Sequence, residues 1–249
     1  MTAVTQDTLT TRRGYSIWRD KAGVAGVILV LGLVILAVFS HSLAPFDPGA
    51  IDLAARLTPP FWYEGGALSH PLGTDQLGRD VLSRIIFGSR VSLVAGLSVT
   101  LVAGAFGTFV GLVSGFVGGR TDTILMRWVD MHIAFPGLLL TLVILAVIGP
   151  SLATVVIALS VNGWMVYARL VRGVVLIARE LPYVEAAEVV GCRPQRIIFR
   201  HILPNLAAPI LTLAVLEFAR IILAEAALSF LGVGIQPPDT SWGLDVAAG

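Results

Sequence analysis

Four ionisable residues stand inside apolar stretches of the sequence, where a charge is costly unless it meets a partner or a water-filled cavity. Glu217 and Arg220 are separated by one helical turn, so a helix would place them on one face. Glu225 follows in the same stretch, and Asp130 lies in an earlier one. These residues either line a solute path or have a structural role, as pairs that steady a helix bundle or as contacts to a neighbouring subunit, and the sequence leaves these interpretations open.

The groups that carry nucleotide or metal chemistry are missing from the sequence. The only lysine, Lys21, lies between Asp20 and Ala22, so there is no Gly-Lys-Ser/Thr phosphate-binding motif and we expect no nucleotide hydrolysis by this chain. The four histidines are far apart and no HExxH occurs, so no metal site is predicted. The single cysteine, Cys192, excludes an internal disulfide. The sequence predicts no catalytic residues, and neither metal nor cofactor in this chain.

The composition indicates an integral membrane protein. Hydrophobic residues make up 56% of the chain, charged residues only 13%, and the mean hydropathy is +0.86. Soluble domains carry about 25% charged residues, so the deficit is too large for an ordinary globular core. The formal net charge of +1 gives no reason to expect a nucleic-acid partner.

Long apolar stretches divide the chain and must position the charged groups. The predicted spans cover residues 22–43, 91–119, 124–149, 151–173 and 206–234. The first exceeds the roughly 7–15 apolar residues of a signal peptide, which favours an uncleaved transmembrane helix. Pro136 is expected to kink the third span, and the small residues Gly107, Gly111 and Gly115 predict close helix packing for the second. The fold class is therefore an all-α polytopic membrane helix bundle.

The distribution of arginines predicts how the chain is oriented. The predicted regions are a cytoplasmic tail at 1–21, an extracytoplasmic loop at 44–90 and a core domain at 91–249 with a cytoplasmic coupling loop at 179–203. With the N-terminus inside, cytoplasmic segments carry ten basic residues and exterior segments carry four. This asymmetry follows the positive-inside rule and supports a cytoplasmic N-terminus.

Residues 183–205 form the only long polar stretch in the second half of the chain. Pro182 just before it is suited to the first turn of a helix, and Gly191 should end that helix. Ala186 and Ala187 make the helix thin. Pro194 should open a second, amphipathic helix, with its arginines on one face, that lies at the membrane surface. A charged helix held between two apolar spans is suited to docking another protein.

The letters EAAEVVG, followed by HILPN, resemble the EAA loop of permease subunits of ABC importers. The matching residues are Glu185, Ala186, Ala187, Gly191, Leu203 and Pro204. Three further segments resemble the dipeptide/oligopeptide/nickel branch, in subunits of the DppC/OppC type: HPLGTDQLGRDVLSRIIFGSR, MRWVD with AFPGLLL, and AEAALSFLGVGIQPPDTSWG. The resemblance extends from about residue 20 to residue 243.

This resemblance implies the transmembrane-domain fold of type I ABC importers and one half of a peptide translocation pathway. The EAA loop would couple that pathway to a cytoplasmic ATPase. The implied partners are a homologous second permease, two ATPase subunits that bind ATP and magnesium, an extracytoplasmic binding protein and membrane lipid. The implied location is the prokaryotic plasma membrane.

Several alternatives stay open at this point. Nickel, glutathione or another small solute could replace the peptide. An ion-gradient-driven secondary transporter using the four charged residues, or a scaffold that transports nothing, would belong to another class. The resemblance also implies a sixth membrane helix, which is not visible in the sequence, and we expect the chain to be shortened at its C-terminus.

Overall fold

The computed structural model describes residues 21–248, so the predicted N-terminal tail lies outside the described residues except for Lys21. The longer helices are α1 (Lys21–Val38), α2 (Val81–Val117), α3 (Gly119–Ile133), α4 (Gly137–Ile148), α5 (Leu152–Ala178), α6 (Pro182–Val189), α7 (Leu203–Phe230) and α8 (Trp242–Ala248). Short helices cover Ser40–Leu43, Leu53–Ala55, Pro194–Ile197 and Ile198–Ile202. The all-α prediction is confirmed, because β pairing between residues 21 and 248 is limited to one isolated bridge, Thr74 with Asp80.

Four helical stretches of residues 21–248 are long and apolar enough to cross a membrane. They are Lys21–Val38, Val81–Val117, Leu152–Ala178 and Pro194–Phe230. Helices α3 and α4 together form a fifth candidate, either a broken span or a re-entrant loop, with a bend of 81° between them. These spans confirm a polytopic membrane bundle.

The third predicted span is broken rather than kinked. Helix α3 ends at Ile133, and α4 begins only after Pro136. Proline lacks an amide donor, and it also disfavours helical geometry in the residue before it. Both effects act here, so helical hydrogen bonding stops and the chain changes direction.

Helix α2 begins at Val81, whereas residues 81–90 were predicted to belong to the preceding loop. The reason lies in Asp80, whose carboxylate accepts a hydrogen bond from the Ser83 N–H at 2.8 Å. An aspartate in this capping position satisfies an otherwise unpaired donor of the first helical turn. The helix therefore starts at the cap and not where the apolar residues begin.

Helices α2 and α5 approach each other closely through glycines of α2. A Cβ atom at Gly107 would lie 2.1 Å from the Trp164 carbonyl oxygen, and one at Gly111 would lie 2.6 Å from that of Ala168. Neither distance leaves room for a side chain. The predicted close packing of the glycine-rich span is confirmed, and its partner is α5.

Two buried apolar clusters contact α2, one near its C-terminal end and one at its middle. One contains Leu112 and joins α2 and α5 to α6 and the start of α7. The other contains Val99 and joins α2 to α4, α5 and α7. Side chains in such clusters pack at near-crystalline density, so the elements that share a cluster move together.

Candidate functional site

The segment predicted to dock a partner forms a short helix with defined ends. Helix α6 begins at Pro182, and Leu181 before it is extended, with ψ of 141°. Gly191 follows the helix with φ of +80°, a conformation that glycine adopts readily. There the Cys192 N–H donates to the Ala187 carbonyl at 3.0 Å. The helix start and the break predicted at Pro182 and Gly191 are confirmed.

One face of α6 is anchored in the bundle. Val184 is fully buried and packs in a cluster with Leu112 of α2, Val171 of α5 and Ile197. Ala187, predicted as a docking residue, is half-buried and packs against the same cluster. A displacement of α6 must therefore push on α2 and α5, because close-packed side chains transmit strain.

The opposite face of α6 is open. Glu185 and Ala186 are exposed on it, and Glu188, one helical turn after Val184, is exposed as well. Val189 and Val190, at the end of the helix, are 83% and 82% exposed, and together they form a small apolar patch beside the acidic residues. These two valines are not among the residues predicted to dock a partner. The available signal was a pair of consecutive apolar residues directly before the glycine that ends the helix.

The predicted surface-lying helix after Gly191 is not a separate element. Residues from Pro194 run helically through the π-helical turn Ile198–Ile202 into α7 without a non-helical residue. The segment is amphipathic as predicted, with Ile197 and Ile202 buried and its arginines exposed. It therefore belongs to the membrane-spanning helix that follows α6.

Pro204 is the second residue of α7, which directly follows the π-helical turn Ile198–Ile202. The next residue, Asn205, donates from Nδ2 to the Tyr183 hydroxyl at 3.2 Å and to the His201 carbonyl at 2.8 Å. The first of these bonds ties the start of α6 to the start of α7. The predicted coupling residues thus lie on two elements that are directly linked.

The charges within the apolar spans occupy different environments. Arg220 Nη1 lies 3.4 Å from Glu217 Oε1, with the glutamate buried and the arginine side chain 66% exposed. Asp130 of α3 pairs at 2.5 Å with Arg169 of α5, and both side chains are more than half exposed. Arg169 was not predicted as the partner of Asp130, because the two residues are adjacent only after the helices pack.

Glu225 is fully buried among hydroxyl groups. Its carboxylate accepts hydrogen bonds from Ser92 Oγ of α2 at 3.1 Å and from Ser229 Oγ at 2.8 Å. The Ile235 N–H in turn donates to Ser229 Oγ at 3.1 Å. Glu225 therefore joins α7 to α2 and to the turn after α7, which favours the structural interpretation for this residue.

A cavity of about 390 Å³ opens at the break between α3 and α4. Its walls include Phe135 and Gly137 at the break, Asn162 and Arg169 of α5, and Arg220 of α7. Asn162 Nδ2 donates to the Gly137 carbonyl at 3.1 Å and so holds the start of α4 against α5. Irregular backbone within a membrane is tolerated only where it is buried in protein or lines a wet cavity. The break therefore marks a place where a polar path can pass.

A polar network holds the other end of α2. Arg84 Nε donates to Asp245 Oδ1 of α8 at 2.7 Å, and Trp242 Nε1 donates to the Ile85 carbonyl at 3.1 Å. The Gln76 side chain of the preceding loop donates to a carbonyl of α8 at 3.2 Å. The loop, α2 and α8 are thereby joined. The sequences of these segments contribute to the family resemblance, but no role was predicted for their residues.

Two carboxylates near the start of α2 have displaced pKa values: Asp245, and Asp75 of the preceding loop, whose Oδ2 lies 3.9 Å from Arg84 Nε. At Asp75, burial opposes ionisation, but the backbone N–H groups of Arg79 and Leu77 and the Arg79 guanidinium outweigh it and hold the pKa below its usual value. At Asp245, burial raises the pKa, and the neighbouring Arg84 only partly offsets that effect. Acidification should therefore neutralise Asp245 before Asp75.

Comparison with known families places these features among membrane transport components. Residues 107–249 match the family described as "Binding-protein-dependent transport system inner membrane component". Residues 15–60 match the "N-terminal TM domain of oligopeptide transport permease C". The first match contains the whole of α6 and the cavity at the α3–α4 break.

Individual proteins from several bacteria are similar over nearly the whole chain. A dipeptide transport system permease protein DppC from Haemophilus influenzae is 40% identical over 90% of this chain and 76% of its own length. The di/tripeptide permease DppC from Pseudomonas aeruginosa is 41% identical over 92% of this chain and 76% of its own. The Escherichia coli K12 dipeptide permease DppC is 43% identical over 90% and 75%, respectively.

Proposed function

The chain belongs to the family of binding-protein-dependent transport system inner membrane components, the permease subunits of ABC importers, and from this premise we propose that it forms one half of a translocation pathway for peptides. The names of its relatives support peptides as the cargo. Nickel or another small solute is the alternative. The chain acts as a transport subunit within a multi-pass membrane bundle.

The observation that carries the coupling role is the two-sided character of α6. Its open face presents Glu185, Ala186 and the exposed pair Val189 and Val190. Its other face is locked into the bundle through the fully buried Val184. A partner that binds the open face of α6 can therefore move α2 and α5, because the buried face of α6 packs against both helices. This arrangement suits a helix that transmits the conformational change of an ATPase to the membrane bundle.

The remaining partners follow from the same proposal. A homologous permease would supply the other half of the path, two cytoplasmic ATPase subunits would bind ATP and magnesium, and an extracytoplasmic binding protein would deliver the peptide. This chain lacks a phosphate-binding motif of its own, so its energy would come from those subunits. The N-terminus and α6 would face the cytoplasm of a prokaryotic cell, as the arginine distribution supports.

The coupling role is tested with Glu185→Lys in the complete complex reconstituted in vesicles. Reversing this exposed charge should abolish peptide uptake and the ATPase stimulation caused by loaded binding protein, while the subunit still inserts. The matched control is Glu180→Lys, since Glu180 is also exposed but precedes α6. Uptake that survives Glu185→Lys, or that falls equally in both variants, contradicts the assignment.

An ion-driven transporter is separated from this proposal by the energy source. Collapsing the ion gradients with ionophores at constant internal ATP should leave uptake unchanged. Loss of uptake under those conditions would favour a secondary transporter.

A further inference from the structure

We propose that the cavity at the break between α3 and α4 is a carboxylate-binding site, in which Arg169 and Arg220 hold the C-terminal carboxylate of a peptide during its passage. The inference rests on the proposed function, because it requires peptides as cargo. The cavity lies where the irregular backbone of residues 134–136 separates the amphipathic helix α3 from the apolar helix α4. It brings together helices α3, α4, α5 and α7, which are distant in the sequence.

The sign of the charge facing the cavity decides what it would bind. Both arginines belong to the cavity wall, whereas their acidic partners Asp130 and Glu217 do not. Glu217 is buried behind Arg220, and Asp130 holds Arg169 from α3. The acids thus position the guanidinium groups, and the positively charged side chains that line the cavity come from α5 and α7. An anionic group is the ligand that such a wall favours.

Each guanidinium keeps donors for a ligand. Arg169 reaches Asp130 through Nη2, and Arg220 reaches Glu217 through Nη1. A guanidinium carries five N–H donors in a fixed planar fork, which matches the two oxygens of a carboxylate. One acid contact per arginine therefore fixes the orientation without exhausting the donors. The cavity of about 390 Å³ lies within the usual range of small-molecule sites.

The other walls fit the rest of a peptide. Phe135, Ile133 and Met165 supply apolar surface to the cavity, and the Nδ2 group of Asn162 is already engaged in holding α4. The Arg220 side chain is 66% exposed, so a carboxylate bound there stays partly solvated. Such a contact is weak and short-lived. A site on a transport path requires this, since the solute must leave as readily as it enters.

The competing explanation is that Arg220 only neutralises the buried Glu217. Four permease forms separate the two: Arg220→Gln, Arg220→Lys, the double variant Glu217→Gln/Arg220→Gln, and Arg127→Gln. Arg127 is an exposed arginine of α3 outside the cavity wall and serves as the matched control. Each is assembled with its partner subunits in vesicles, with assembly verified by subunit stoichiometry. The measurement is labelled dipeptide delivered per ATP hydrolysed, with loaded binding protein in excess.

The carboxylate site predicts about a tenfold lower yield per ATP for Arg220→Gln, the effect of losing a charged hydrogen bond. It predicts a similar loss in the double variant, partial recovery with Arg220→Lys, and a wild-type yield with Arg127→Gln. A wild-type yield in the double variant overturns the site, because removing Glu217 would then have sufficed. An equal loss with Arg127→Gln overturns it as well.

Either result leaves the permease function in place, since the wild-type complex still imports peptide. A wild-type complex that hydrolyses ATP but imports no peptide would overturn the proposed function, and the carboxylate site with it.

Discussion

Arg84 and Asp245 join the start of α2 to the last helix of the described chain, with Nε and Oδ1 2.7 Å apart. Both side chains are largely buried. Buried ion pairs are costly to break from one side, because the remaining charge loses its partner without regaining water. The pair therefore fixes how α8 approaches α2.

Removing one member of this pair should destabilise the subunit. Asp245→Ala leaves Arg84 buried without its closest carboxylate and should lower the free energy of unfolding by about 3 kcal/mol. The double variant Arg84→Met/Asp245→Leu should be clearly more stable than Asp245→Ala, because no charge is left buried. Thermal unfolding of the three forms in one detergent provides the measurement. Equal melting temperatures for the single variant and the wild type would show that the pair contributes nothing.

The Asp75 carboxylate should make the stability of the loop before α2 depend on pH. Its pKa is lower in the folded protein than in an unfolded chain, where it is about 3.9. Ionised Asp75 therefore stabilises the fold above about pH 4, and this contribution disappears as the pH falls through the folded-state value. Asp75→Asn should melt earlier than wild type at pH 6, and the difference should shrink toward pH 3. A difference that grows on acidification would have the wrong sign.

The glycine contacts of α2 predict a sharp steric effect. Gly107→Ala places a methyl group against the Trp164 carbonyl, and overpacking of this kind costs about 1–3 kcal/mol. Gly173→Ala in α5 is the control, because a Cβ there meets no atom within 4 Å. The control should be neutral or slightly stabilising, since alanine favours helix more than glycine. Thermal unfolding again distinguishes the variants, and equal behaviour would mean that α2 and α5 are not in close contact.

The open face of α6 predicts variants that lose coupling but keep the fold. Val189→Asp changes an exposed side chain and should reduce stimulated ATPase activity and uptake with little change in melting temperature. A Cβ atom at Gly191 meets no atom within 4 Å, so Gly191→Leu should cost about 1 kcal/mol through its left-handed backbone, and the subunit should insert while uptake is lost. Val184→Asp is the contrasting variant and should unfold the buried cluster. Normal uptake by both Val189→Asp and Gly191→Leu would argue against docking at α6.

The single cysteine gives a direct test of topology. Cys192 follows α6, and its side chain is half-buried. Because α6 is proposed to face the cytoplasm, a membrane-impermeant maleimide should label Cys192 in inverted vesicles and not in right-side-out ones. Leu68→Cys in a Cys192→Ser background, at a highly exposed loop position, should show the opposite pattern. If both positions react from the same side, α3 and α4 form a re-entrant loop instead of a crossing.

The sequence predicted well what depends on local chemistry. Pro182 and Gly191 delimit α6 because their backbone preferences act within one turn. Apolar length identified the spans, since a helix must be long enough to cross the bilayer. The predicted start of α2 was wrong, because a capping aspartate, and not hydropathy, determines where the helix begins.

What escaped prediction depends on packing between distant segments. The partners of Arg84 and Asp130 lie 161 and 39 residues further along the chain, and no periodic sequence pattern connects residues so far apart. Glu225 is a buried structural carboxylate, whereas Arg220 lines a cavity. These two environments can be distinguished only when the positions of the packed helices are known. The exposure of the two valines of α6 was not predicted, because hydropathy alone does not distinguish apolar residues near a membrane span from residues of the span.

Helix α2 contains 37 residues, so it is about 55 Å long and much longer than the hydrocarbon thickness of a bilayer. Leu112, near one end, shares a buried cluster with α6, and Arg84, near the other, holds α8. The two positions are about 42 Å apart along an uninterrupted helix. A tilt of about 5° would therefore shift one end by about 4 Å relative to the other. The helix has the dimensions of a lever whose arms lie on opposite sides of the membrane.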